Sequence, residues 1–189
     1  MKNKSRRYLG VSALILVLGL GISGCADQMD DPATPAGRPV LNNQVSAAIA
    51  AFKQSNPDEA QLFTTSYGYA VLPSVVNFGL IVGGAGGYGE VFGGGHLIGT
   101  CSVSQGSIGA QVGGQEIAEY IFFRSRYAVE DFEHNLAAFD ARASAVATVA
   151  GAASAVDYGP EVIVYVKPKV GLMVQAAIGG QQFQFYPLP

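Results

Sequence analysis

Between residues 67 and 123 no window of the sequence keeps a helical apolar stripe free of glycine, and this bars the chain from a long helix there. Apolar residues alternate instead. Tyr67, Tyr69 and Val71 fall on one face of a strand, and Ile108, Ala110 and Val112 on one face of another, with Gly109, Gln111 and Gly113 opposite. Glycine in strands weakens them locally but allows sharp bends and close backbone approach. With 25 glycines and only 13% charged residues among 189, the expected product is a strongly curved, mainly antiparallel, glycine-rich sheet or small barrel.

Helical signals flank this block, so the expected class is α+β with two or three helices. In residues 40–56, Leu41, Val45, Ala48, Ile49 and Phe52 recur at helical spacing, with Asn42, Asn43, Gln44 and Ser46 between them. A second short helix is expected to start at Pro57, Asp58 and Glu59. Residues 127–139 return to helix, since Val129, Phe132, Leu136 and Phe139 are three or four apart. Residues 141–157, rich in alanine, serine and valine, are read as strand against a nearly equal helical pattern. Val162, Val164 and Val166 then alternate, and residues 172–178 and 182–186 predict a hairpin turning at Gly179 and Gly180.

The amino-terminal region reads as an export signal. Lys2, Lys4, Arg6 and Arg7 precede an apolar stretch at residues 9–22 that is too short and glycine-broken for a spanning helix. It ends in Ile22, Ser23, Gly24 and Cys25, which resembles the lipobox of bacterial lipoproteins. That resemblance implies a thioether from Cys25 to diacylglycerol and cleavage after Gly24. Two or more acyl chains anchor a protein stably where one holds it only marginally. The expected division is a signal peptide at 1–24, a lipidated end and flexible tether at 25–39 with its Asp, Pro and Gly, and a domain at 40–189. Ala26 rather than aspartate after the cysteine implies, by the same resemblance, the outer membrane of a two-membrane cell, facing the periplasm.

With Cys25 acylated, Cys101 has no partner for an intramolecular disulfide, and its apolar setting suits a buried structural thiol. Loss of the signal leaves seven basic residues against 14 acidic ones. An acidic body gives no footprint for nucleic acid and no simple attraction to anionic headgroups.

The motifs that carry enzyme chemistry fail on context. Gly84, Gly86 and Gly89 match G-x-G-x-x-G, but Gly93, Gly94 and Gly95 follow where a helix should begin, and no acidic residue lies between Glu90 and Glu116 to take a ribose hydroxyl. His96 and His134 are the only histidines, and neither sits at ligand spacing, so no metal site or other cofactor is expected. No G-x-S-x-G elbow exists, and His134 is read as a solvated helix residue. Glu116 and Glu119 could pair as catalytic carboxylates; without a second signal they are read as solvated. No catalytic residue is therefore assigned.

Four strings bear a further resemblance: YGYAVLPSVVNFGLIVGGAGGYGEVF from Tyr67, SQGSIGAQVGGQEIAEYIFF from Ser104, AVATVAGAAS, and KPKVGLMVQAAIGG from Lys167. In this order, over residues 40–187, they resemble the SYLF domain family, found in bacterial lipoproteins and in eukaryotic membrane-remodelling and actin-patch proteins. The resemblance implies a non-enzymatic domain that binds lipid, in some members through a basic amphipathic helix that recognises phosphoinositides. Here that helix holds only Lys53, with Arg38 just before it, so phosphoinositide recognition is not carried over. Nor is actin, an improbable partner for a bacterial lipoprotein. Leu41, Val45, Ile49, Phe52 and Lys53 remain the candidate lipid contacts, either entering a bilayer or covering a lipid pocket, while packing on the sheet explains the same stripe. The expected function is a membrane-anchored, lipid-binding envelope lipoprotein. The alternative is a structural envelope protein that self-associates or contacts other outer-membrane components.

Overall fold

A computed structural model describes residues 37–135, 138–141, 154–157 and 160–189, with residues 107–111, 138–141, 154–157 and 170–179 described as backbone alone. Cys25, Gly24, the signal and residues 25–36 of the expected tether lie outside the described residues. The element order is α1 (Gly37–Ser55), α2 (Leu62–Thr65), β1 (Gly68–Gly93), β2 (His96–Phe123), α3 (Arg126–Glu133), β3 (Ala138–Ala141), β4 (Ser154–Asp157) and β5 (Val162–Pro187). It is an α+β fold with one antiparallel five-stranded sheet, ordered β1-β2-β5-β3, with β4 also on β5. The sheet does not close on this path, so the expected small barrel is not what forms.

Three strands of 26, 28 and 26 residues dominate. A straight 26-residue strand would span about 85 Å. Yet the Gly94 amide, just past the end of β1, donates to the Tyr67 carbonyl just before its start, at 3.1 Å. The first and last stretches of β1 therefore lie against each other, and glycine permits the approach. A Cβ on Gly87 would stand 2.4 Å from the Ser74 carbonyl oxygen, and one on Gly89 2.5 Å from that of Val71. Gly94 and Gly95, at φ +57° and +82°, make the tight β1-β2 turn.

The doubling creates two cores. Ala70, Leu72, Val91, Cys101, Ile121, Val164 and Phe183, from both ends of the long strands, pack with Phe132 of α3 in one. On the other face of the same strands, Val71, Ala118, Tyr120 and Phe122 pack against Leu41, Val45 and Phe52 of α1 and Phe63 of α2. The last turns of β2 are thus covered on both sides, which accounts for the near-continuous apolar run ending at Phe123. Phe52 is its aromatic centre, with ring contacts to Phe63, Tyr120, Phe122 and Tyr165 at 4.6 to 5.9 Å.

Several expectations are corrected. Helix α1 starts at Gly37, inside the segment assigned to the tether. The helix expected from Pro57 is a turn segment, and α2 begins only at Leu62. Helix α3 stops at Glu133, where His134 and Asn135 close it, Asn135 at φ +58°, and Phe139 lies in β3. Leu136 lies outside the described residues. Strand β5 runs through Gly179 and Gly180 without a hairpin, because both pair with β2 at Ser107 and Gly106. Of the 141–157 strand, Ala141 and β4 are extended, while residues 142–153 lie outside the described residues.

Candidate lipid-contact surface and groove

The middle of β1 carries side chains that no core uses. Phe78, Leu80, Ile81 and Val82 are 62 to 70% exposed, and Val112, paired with Leu80 across the ladder, is 59% exposed. Val76, 42% exposed, stands at the base of this tongue. No charged residue occurs in 74–89, in 102–115 or in 170–187, the stretches of the three strands that build it. Ile81 adopts φ +73° between two register-shifted partners. A β-branched residue in the left-handed region costs on the order of 1 to 2 kcal/mol, and an exposed one regains nothing by burial. Strain of this kind concentrates at functional positions. Contiguous exposed apolar side chains likewise mark contact surfaces.

Beside the tongue, a groove of about 660 Å³ lies between α1 and the sheet. Its walls include Val40, Leu41, Ala48, Pro73, Val76, Ala118 and Tyr120, and Glu116, Lys167 and Lys169 stand at its polar side. The space exists because α1 presents Ala47, Ala48 and Ala51 here while its larger residues reach the sheet. The Tyr120 hydroxyl donates to the Ala48 carbonyl at 3.0 Å and fixes the spacing of helix and sheet; burial pushes its pKa up to about 12. Lys169 donates to the Pro73 carbonyl at 3.1 Å and pairs with Glu116, whose carboxyl this bond holds below its ordinary range. Lys167 donates to the Ala51 carbonyl at 3.3 Å and to Ser55 Oγ at 3.0 Å. Among the described residues no carboxylate pairs with Lys167.

The expected lipid contacts divide. Leu41, Val45 and Phe52 are buried against the sheet, and of these Leu41 also lines the groove. Ile49 is half-buried beside the same core, and Lys53 is exposed with its ammonium 5.2 Å from the Phe63 ring centre. The helix thus spends its apolar stripe on the sheet and the groove, while the tongue supplies the bare apolar surface. The tongue was hidden in sequence, because exposed and buried strand residues there are equally apolar. Its one legible sign was the absence of charge from residues 74–89, 102–115 and 170–187 of the three strands.

The acidic residues also fall otherwise than expected. Glu119 is fully buried between the layers, where Gln181 Nε2 donates to its Oε2 at 3.3 Å, and burial raises its pKa to about 7. The reading of it as solvated is corrected: the strand that carries it is covered on both faces. Glu90 is buried under α1, accepts from Asn42 Nδ2 at 3.4 Å, and has its pKa raised by desolvation. Among the described residues Glu90 Oε2, Glu119 Oε1 and Gln181 Oε1 have no hydrogen-bond partner. Cys101 is buried, and desolvation raises its thiol pKa, so it is poorly reactive. His134 is exposed at the end of α3, Glu116 stands apart from Glu119 with Lys169, and Gly84, Gly86 and Gly89 sit within β1. Among the described residues no cluster of metal-ligating side chains occurs, and no helix is long and apolar enough to cross a membrane.

No family model matches the chain, and no curated protein matches it.

Proposed function

We propose that this chain is a non-enzymatic, membrane-anchored lipoprotein with a SYLF-like domain that binds lipid or membrane at the bacterial cell envelope. The observation that carries the reading is the uncharged tongue around Phe78, Leu80, Ile81 and Val82, whose exposure costs stability in water and is repaid on entering a bilayer. The start of α1 supports it. Val40 and Leu41 share the groove with Val76, so α1 begins beside the base of the tongue. Lipid anchor and apolar surface then address one bilayer together, in this reading the outer membrane from its periplasmic face. The same reading takes the sheet as strongly curved by its glycines, as the close approaches at Gly87 and Gly89 suggest.

Two measurements test it. Mass spectrometry of the protein from its native host is expected to show an acylated Cys25 as the first residue; a free thiol there contradicts the anchor. The unacylated chain 26–189 is expected to co-sediment with phospholipid vesicles, and Leu80→Asp together with Val82→Asp to abolish this without changing the thermal melt. Charged side chains near a bilayer centre cost about 2.5 to 3.5 kcal/mol each. Equal sedimentation of the variant contradicts the role given to the tongue.

A second reading, a self-associating envelope protein, rests on β1 standing at the edge of the sheet with its apolar middle bare. Concentration-dependent oligomers of 26–189 in the absence of lipid would favour it.

A further inference from the structure

We infer that the groove beneath α1 is a binding site for one single-chain amphiphile with an acidic head, the head held between Lys167 and Lys169 and the acyl chain laid along the apolar wall formed by Leu41, Ala48, Ala118 and Tyr120. The inference rests on the lipid-binding reading and adds to it a defined internal site distinct from the bilayer surface.

Three observations converge on this occupant. The first is volume: about 660 Å³ falls within the range of roughly 300–1,000 Å³ usual for small-ligand sites. The alanines of α1 leave that space open over the run from Val40 to Ala51, which at 1.5 Å per residue is roughly 16 Å long. A groove of this length and volume suits one extended acyl chain.

The second is charge. On an acidic body, two ammonium groups face a single carboxylate, Glu116, at the groove's polar side. Lysine carries three donors. Lys167 commits two, to Ala51 and Ser55, and Lys169 commits two, to Pro73 and Glu116. Each keeps one N–H for an incoming carboxylate or phosphate oxygen, and the committed bonds hold both in place beforehand. A neutral head gains no charge pairing with them, and a cationic one would be repelled.

The third is continuity. Val76 lines the groove and is also the first exposed apolar residue of the tongue, with Phe78 and Leu80 beyond it on alternate positions. Val76 also pairs across the ladder with Glu116, so the apolar surface of the tongue meets the groove beside its charged head site. Fatty acids and monoacyl phosphates share the required chemistry.

The test uses the full-length chain in nanodiscs, photolabelled with diazirine-bearing hexadecanoic acid, the matching monoacyl phosphate, and the matching alcohol, with adducts mapped by peptide mass spectrometry. Either acidic probe is expected to label α1 between Val40 and Ala51 or β2 around Ala118, and which of the two does so identifies the source of the head. Replacing both Lys167→Gln and Lys169→Gln is expected to lower labelling roughly tenfold, the value of one charged hydrogen bond. Glu116→Gln is expected to raise it. Ala47→Leu, which narrows the groove from an exposed position on α1, is expected to abolish it while thermal melts in the same nanodiscs stay unchanged. Equal labelling by the alcohol, or no change on removing both ammonium groups, overturns the acidic head. Adducts confined to residues 78–82 overturn the groove and leave membrane contact by the tongue standing, so the two ideas fail separately.

Discussion

Single residues in this chain carry opposite burdens according to which face of a strand they occupy. Glu119 is the sharpest case. Its carboxyl titrates near 7 in the folded chain and near 4.5 when solvated, so between those values the folded state holds a proton that the unfolded state releases. Stability therefore falls as pH rises through that window, and the penalty is complete above it. Glu119→Gln is expected to stabilise the protein by about 1–3 kcal/mol at pH 7.5 and hardly at all at pH 4.5, flattening the slope of thermal stability against pH. A slope unchanged by the substitution would place the titrating group elsewhere. Two glycines give a second contrast. Gly87→Ala forces a Cβ into the Ser74 carbonyl, whereas a Cβ on Gly106 meets nothing within 4 Å. The first is expected to cost more than about 2 kcal/mol in denaturant unfolding and the second less than about 1, the ordinary range for an unstrained site. Neither distinction was legible in sequence. The alternation around Glu119 is that of a strand with one wet face; its own face is closed by the far end of β5 at Gln181 and the opposite face by α1, and neither cover leaves a local sign. Cys101 was legible, because its neighbours made burial the ordinary outcome for a thiol.

At the scale of elements, local periodicity identified what local physics decides. Helix α1 follows from the spacing of Leu41, Val45 and Phe52, and its end at Ser55 from the proline two residues later. Phe52→Ala, which empties the centre of the aromatic cluster, is expected to cost about 3–5 kcal/mol and to lower the melting temperature sharply. A smaller loss would mean that α1 is held mainly by its flanks. The strands were legible in kind but not in extent. Gly179 and Gly180 have the composition of a hairpin turn, yet they continue β5 because Ser107 and Gly106 of β2 offer backbone partners there. Partners 72 and 74 residues away in sequence leave no local trace. Helix α3 is short for a like reason: Asn135 in the left-handed region closes it, and the Phe139 backbone pairs with β5 at Gln181 although its side chain fits the helical spacing.

For the whole molecule, doubling of the long strands places one core inside the fold, a second under α1, and an uncharged apolar tongue at the bend. Sequence indicated the α+β class, the antiparallel sheet and the apolar face of α1. It could not indicate which apolar residues stay in water, since that depends on how three distant segments meet. The account rests on the tongue entering a bilayer. The most direct measurement places an environment-sensitive fluorophore at Leu80→Cys and, in a separate sample, at Tyr127→Cys, an equally exposed position on α3. Vesicles carrying a quencher at mid-acyl depth are then added to each. The account predicts a blue shift and strong quenching at position 80 with neither at position 127; identical responses at the two positions, or no response at position 80, would contradict it.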